Sequence, residues 1–537
     1  MMLIKAGNES ACVGREPSKM VNLKAAFCPL MGAVAMAAGL VVAIPAYAQP
    51  KGSAVVAVPA LSQNTDPTAT VSTADYMIHE ALYDGLLNLT EKGKVAALAE
   101  SWVISPDGKQ IDFKLRKNVK FHNGDPFTAE DVKFTFERII GPDSTHSYRR
   151  GFIDPIDRIE VVEPHTVRFV LKQPWPAFFT TARFALTHIV PKKYYEQVGA
   201  KAFKEKPVGT GALKLADMKA GEWTKFEANT DYWGAKAKTQ FVTQRLVAEP
   251  FTRYAMLEKG EADIAAGISG ALLEKVRSNK DLKVILSPYS GTSGLLFNKT
   301  DLPQFADKRV RLAVAHAINR EAIAKNITGG VCEPASSMLT PGTFGFLEGL
   351  PQVSYDLNKA KALLKEAGVQ PGTKVPFVYH TQSFAALPGA PQVLEAIAGN
   401  LEAAGLVVER KSFDTDAWLS MMRTNKAPGI YYTPVGTPDD AGELLNSYFT
   451  ANAGWTTRSI AVPEYDAIYK QQQVTADLEA RKKLLQKFAK LESENFEMVP
   501  LFWCATPYAV NSKRVKDWKP ALGSGNYLSL ATIELNQ

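Results

Sequence analysis

Apolar and charged residues alternate along residues 111–116. Ile111, Phe113 and Leu115 fall on one side and Asp112, Lys114 and Arg116 on the other, the period of a strand with one face buried. Before it, Ser105-Pro106-Asp107-Gly108 has proline at the second and glycine at the fourth position of a type I turn, which makes residues 102–104 the expected partner strand. The period then changes. Val132, Phe136, Ile139 and Ile140 recur at helical spacing behind Thr128 and Asp131, a Thr-x-x-Asp relative of the capping box, and Gly141-Pro142 ends the run.

The same two periods organise the rest of the chain. Residues 54–58 read as a buried strand and 76–83 as a short helix, and Val167, Phe169 and Leu171 share one face of a strand over 166–171. A helix from 251 stops at Gly260, with a strand at 262–264. A single helix is expected over 307–327, with Val310, Val314, Ala317 and Ile318 inward and Arg309, Arg311, Asn319 and Arg320 on a solvated face. Asp356 can cap a helix that Gly368 ends; 375–379 is a strand, 391–404 a helix closed by Gly405, and 406–408 a strand. Such alternation predicts a doubly wound lobe. Near 287–296 small residues and a strand end suit a crossing between lobes, and after a helix over 478–493 the apolar run 499–510 brings the chain back.

With 537 residues, 46% of them apolar and 22% charged, the chain has material for two to four domains. A formal charge of +7 without basic runs argues against nucleic acid. Lys19 and Lys24, an apolar stretch over 27–44 and Ala46-Tyr47-Ala48 give residues 1–48 the form of a cleavable signal peptide, with Met1 and Met20 both open as starts. Cys12 and Cys28 go with that leader. Cys332 and Cys504 remain, either as a disulfide or, the reading favoured here, as two separate buried thiols.

Candidate chemistry is sparse. Histidines at 79, 122, 146, 165, 188, 316 and 380 have no metal-ligand spacing, and Gly291-Thr292-Ser293-Gly294 is out of frame for a nucleophile elbow. Gly209 and Gly211 fit neither a dinucleotide fingerprint nor a P-loop and read as turn glycines. No enzyme activity, cofactor or metal is expected.

In chain order, YDGL (83–86), LAESW (98–102), the 105–108 turn, FKLRKNVKFHNG (113–124), PFTAEDVKFTFER (126–138), PVGTGALKL (207–215), NTDYWG (229–234), GEADI (260–264), LLFNKT (295–300), RVRLAVAHAINREAI (309–323) and YDLNKAKALLKEAG (355–368) follow one another. Together they resemble the extracytoplasmic solute-binding proteins of the peptide, opine and nickel class, bacterial solute-binding protein family 5, over essentially everything after residue 50. The resemblance implies an α/β, periplasmic-binding-protein-like fold with two lobes and an extra inserted domain, the three-domain cluster C type. Its divisions would be lobe I at 49–93, inserted domain II at 94–207, lobe I again at 208–289, lobe III at 290–500 and lobe I once more at 501–537. It implies a periplasmic monomer that binds a small-molecule or peptide ligand and delivers it to an ABC transporter permease and ATPase. A short peptide leads; opines and oligosaccharides follow, nickel and haem come after them, and a sensor role or a secreted hydrolase are other classes.

In relatives the loop after the first strand borders the cleft, which nominates Gln63 and Asn64, with a plain turn as the alternative for Asn64. Where peptide-binding relatives hold the ligand ammonium with an aspartate, this chain has Thr437. Either Asp439 or Asp440 takes the role, helix capping being their alternative, or the ligand has no free amino terminus. Tyr289, Phe384, Trp418, Trp455 and Trp503 are the aromatics placed nearest the cleft, against core packing, and Arg458 is a candidate carboxylate clamp. Trp175 is assigned to packing.

Overall fold

The computed structural model describes residues 49–536 except 63, 70–72, 91–92, 147–148, 181–186, 381–386, 425, 437–438, 452, 454–461 and 521–528. Two long antiparallel strands, Leu282–Phe297 and Met498–Asn511, run through its centre. Met498–Asn511 is buried along almost its whole length, as its near-continuous apolar sequence requires. Leu282 to Leu286 pair with Asn511 to Pro507; the register then slips around Tyr289, resumes at Gly291↔Cys504, and shifts once more between Ser293↔Phe502 and Gly294↔Pro500 before Leu296↔Met498. In the slip the Ser287 hydroxyl accepts from the Thr506 amide at 2.9 Å, so a side chain replaces a ladder bond.

On one side of the slip, Met498–Asn511 borders Ile264–Ala266, followed by Ser53–Val58, Phe241–Leu246, Trp223–Ala228 and Leu213–Lys219. On the other, Leu282–Phe297 borders Ile430–Gly436, then Lys374–His380 and Val407–Phe413, and Cys332–Pro334 pairs with Met498–Asn511. Ile264–Ala266 and Ser53–Val58 run in the direction of Leu282–Phe297, whereas Ile430–Gly436 and Lys374–His380 run against it. The carboxyl ends of the two parallel sets therefore point at each other across the slip.

A second body stands on a four-stranded antiparallel sheet ordered Ala99–Ile104, Gln110–Leu115, Thr166–Leu171, Ile156–Glu163. Trp102 pairs with Phe113 and Ile104 with Ile111 across the expected turn, closed by Gly108 N to Ser105 O at 2.9 Å. The helix Ala129–Ile140 opens with the Thr128 amide donating to Asp131 Oδ2 at 2.8 Å and packs Val132, Phe136 and Ile139 against Phe113, Phe152, Phe169 and Phe178. Asp84 ties this body's base down by accepting from the Thr210 and Tyr232 hydroxyls and the Trp233 indole, each at 2.9 Å. Burial pushes its carboxyl up to about 6 against those bonds. Gly209 and Gly211 are glycines because the chain passes so close: a Cβ on Gly209 would lie 2.0 Å from the Leu82 carbonyl oxygen.

Three expectations change. The helix over 307–327 is two helices, Lys308–Ala317 and Arg320–Asn326, because Ile318 and Asn319 leave helical geometry and the Asn319 side chain caps the second by accepting from Ala322 N at 3.0 Å. Arg311 and Arg320 are buried, not solvated. Arg311 donates to the carbonyls of Phe305, Ala306, Asn495 and Phe496 and pairs with Glu497 at 2.9 Å, and Arg320 reaches the Pro500 and Val353 carbonyls at 3.0 Å. Only Arg309 of the three is exposed, on Asp307. Cys332 and Cys504 form a disulfide, their strands facing each other at those two residues.

Candidate functional site

The first of the two facing edges is held by backbone. Beyond Ser53–Val58, Asn64 makes the plain turn: its Oδ1 accepts from Asp66 N at 3.3 Å, and its carbonyl accepts from His79 Nε2 at 2.9 Å. His79 packs edge-on to Tyr76, Tyr83 and His188. Burial pushes His79 down to about 4, against the pull of Asp75, the Asn64 carbonyl and Asp66, and pushes His146 to about 4 and His188 to about 3. Further along the edge, Arg253 from the helix Pro250–Lys259 donates to the carbonyls of Val247, Ala248, Ala266 and Gly267 at 2.7 to 2.9 Å. One guanidinium thus fastens the exits of Phe241–Leu246 and Ile264–Ala266, the two strands that flank Ser53–Val58, and burial lowers its pKa.

The second edge is held by an ion pair. Asp440 follows Ile430–Gly436 and caps the short helix Ala441–Leu444 through Gly442 N to Oδ1 at 2.7 Å. Arg481, from the helix Leu478–Asn495, grips the same carboxylate with two bonds of 2.5 and 2.9 Å, and both side chains are 0% exposed. Gln472 Oε1 accepts from Arg481 Nε and Nη2 at 2.9 and 2.6 Å. A Cβ at Gly442 would lie 2.8 Å from Asp440 Oδ1 and 3.0 Å from Arg481 Nη2, so only glycine leaves room for the grip. Thr180 of the four-stranded body reaches Asp440 and Arg481 from the other side. Beside this junction lies a partly open cavity of about 140 Å³, walled by Trp175, Pro176 and Ala177 from the four-stranded body and by Asn446, Ser447 and Gln473 opposite.

The residues nominated from sequence divide accordingly. Asp440 does not stand ready for an ammonium, because its oxygens are taken by Arg481, Gly442 and Thr180. Asp439 is half-buried, and its carbonyl accepts from Phe344 N at 2.8 Å. Tyr289 and Trp503 do come together where the strands cross, with ring centroids 6.0 Å apart. Both are committed there: the Tyr289 hydroxyl donates to Glu333, and the Trp503 indole donates to the Ser337 carbonyl at 2.9 Å. Burial and then Glu333 push the Tyr289 hydroxyl up to about 12. Trp418 is core, 4% exposed, its ring centroid 5.1 Å from that of His380. Gln63, Phe384, Thr437, Trp455 and Arg458 lie outside the described residues. Trp175 packs on Phe152 and Phe178, as assigned, and also walls the cavity.

Arg481, Thr180 and Arg253 were missed. Arg481 had a signal, since it stands in phase with the buried Leu485 and Phe488 on one stripe of its helix. Arg253 had the same signal, in phase with the buried Met256 and Leu257 of its helix, and Thr180 had none. Among the described residues no group of His, Cys, Asp or Glu is placed to hold a metal, and no helix is long and apolar enough to cross a membrane.

The family model for bacterial extracellular solute-binding proteins, family 5 Middle, matches residues 94–456. This chain belongs to that family. The Di/tripeptide-binding protein 2 of Pseudomonas aeruginosa is 31% identical over 427 residues, 74% of this chain and 79% of that protein. The glutathione-binding protein GsiB of Salmonella paratyphi A is 30% identical over 433 residues, 79% of this chain and 82% of that one. Among solved structures, the periplasmic binding protein DppA of Helicobacter pylori in complex with the peptide STSA superposes with a TM-score of 0.75 at 26% identity, covering 91% of this chain and 98% of that one. The substrate-binding protein CtaP of Listeria monocytogenes gives 0.81 at 23% identity over 91% and 100%, a likeness of fold.

Proposed function

We propose that this protein is the periplasmic solute-binding component of an ABC importer, and that it takes a short peptide or peptide-like compound between the facing edges and delivers it unaltered to a permease and ATPase. The observation that carries the reading is the arrangement of two parallel strand sets with their carboxyl ends opposed across the crossing strands, in a chain whose relatives are named for peptides. Open α/β sheets bind ligands outside those ends. The apolar wall of Trp175 and Pro176 facing the amides of Asn446 and Gln473 suits a peptide backbone. Residues 1–48 act as the cleaved leader in this reading. Mature lobe I comprises 49–93, 208–289 and 501–537, the inserted domain 94–207 and lobe III 290–500, and the protein works as a monomer.

A second reading is favoured by Asp440, which is spent on Arg481 and leaves that carboxylate no ammonium to neutralise. The solute would then be a conjugate without a free amino terminus, such as an opine. Thermal shift and calorimetry with trialanine, glutathione, an opine, maltotriose and Ni²⁺ separate the two. A peptide at a hundred times its Kd should add about 2.7 kcal/mol of stability. A response to the opine or sugar alone, or recovery of a cleaved peptide by mass spectrometry, rejects the peptide-carrier reading.

A further inference from the structure

A buried carboxylate and guanidinium need partners for every lone pair and N–H, because what is left unmatched out of water is costly. Asp440 and Arg481 receive most of theirs from their own body: Gly442 N, Gln472 Oε1 and the face of Phe344, 5.4 Å from the guanidinium carbon. The last comes from elsewhere. Thr180 closes the short helix Pro176–Phe179 of the four-stranded body, and its hydroxyl donates to Asp440 Oδ2 while accepting from Arg481 Nη1 at 3.1 Å. A hydroxyl can do both at once; a methyl group can do neither.

We propose that Thr180 is the closure latch of this protein: a hydroxyl carried on one body that completes the buried Asp440–Arg481 pair of the other only when the two are shut. The proposal rests on the reading that the bodies part and close around a solute. On parting, the hydroxyl leaves, water enters, and the pair weakens as its surroundings become more polar. Part of the preference for the shut form therefore comes from a contact the solute does not make. Solutes that fit the cleft differently share this contribution, and it slows the release of all of them.

The test uses the full mature protein with no solute present. In Thr180→Val, hydrogen exchange should quicken roughly tenfold at the Gly442 amide and in 440–447 and 472–481, the effect of losing a hydrogen bond to a charged group. Small-angle scattering should show a larger radius of gyration, and Thr180→Ser should return both readings to wild type. Unchanged exchange in the valine variant, an equal rise along the whole chain, or a serine variant that behaves like valine overturns the latch. With no solute in the tube, this outcome is separate from that of the ligand panel.

Discussion

The two edges that face each other across the crossing strands are fastened in different ways. Arg253 ends on four carbonyls of its own body, so that fastening is complete by itself. Arg481 ends on Asp440, and that pair is finished by Thr180 from another body. A cation among peptide dipoles fixes loops and asks nothing of a partner. A cation on a carboxylate at a junction makes the junction part of its own solvation, and so couples local stability to closure.

The sharpest way to break this contrast is Arg481→Met, which strands a buried carboxylate. Urea denaturation should show a loss of about 3–5 kcal/mol. Arg253→Met should cost about 3 kcal/mol by leaving carbonyls unpaired, with no change in scattering from the solute-free protein. Because the sites share no partner, the double variant should be additive to about 0.5 kcal/mol; a larger departure would show that the edges are coupled.

Acid sharpens the comparison from the first edge. The folded protein holds His79, His146 and His188 below the ordinary histidine value of about 6.5. The unfolded chain therefore binds more protons as pH falls. The stability they contribute is intact above pH 6.5 and drains away down to about pH 4 for His79 and His146 and about pH 3 for His188, on the order of 3 kcal/mol for His79 alone. A His79→Gln variant should show a flatter fall in urea midpoint across that window, and an equally steep one would refute the assignment. The smallest effect belongs to Thr180→Ser, within about 0.5 kcal/mol of wild type.

Local features were legible in the sequence because their causes are local. The 105–108 turn, the Asp131 carboxylate at Thr128 and the glycine stops at 260 and 368 need only neighbours. The order of motifs carried the family. Arg311 and Arg320 misled because a helical wheel sorts charge outward, whereas a guanidinium can satisfy itself on distant carbonyls that no periodicity announces. Cys332 and Cys504 are 172 residues apart, and Asp440 is 41 from Arg481. Their pairing is set by the order of strands and helices in space, not by spacing. Trp418 lies in the core for a related reason: a tryptophan near a cleft and one in a core have the same sequence signature.

The strand Met498–Asn511 sits between Leu282–Phe297 and Ile264–Ala266, both made long before it. While the polypeptide is being synthesised, each half of the sheet must wait with an unzipped border until residue 511 emerges. Such borders invite pairing with the wrong neighbour. Assembly of this molecule is therefore tied to late insertion of one segment, and its yield on refolding should depend on protein concentration far more than its finished stability suggests.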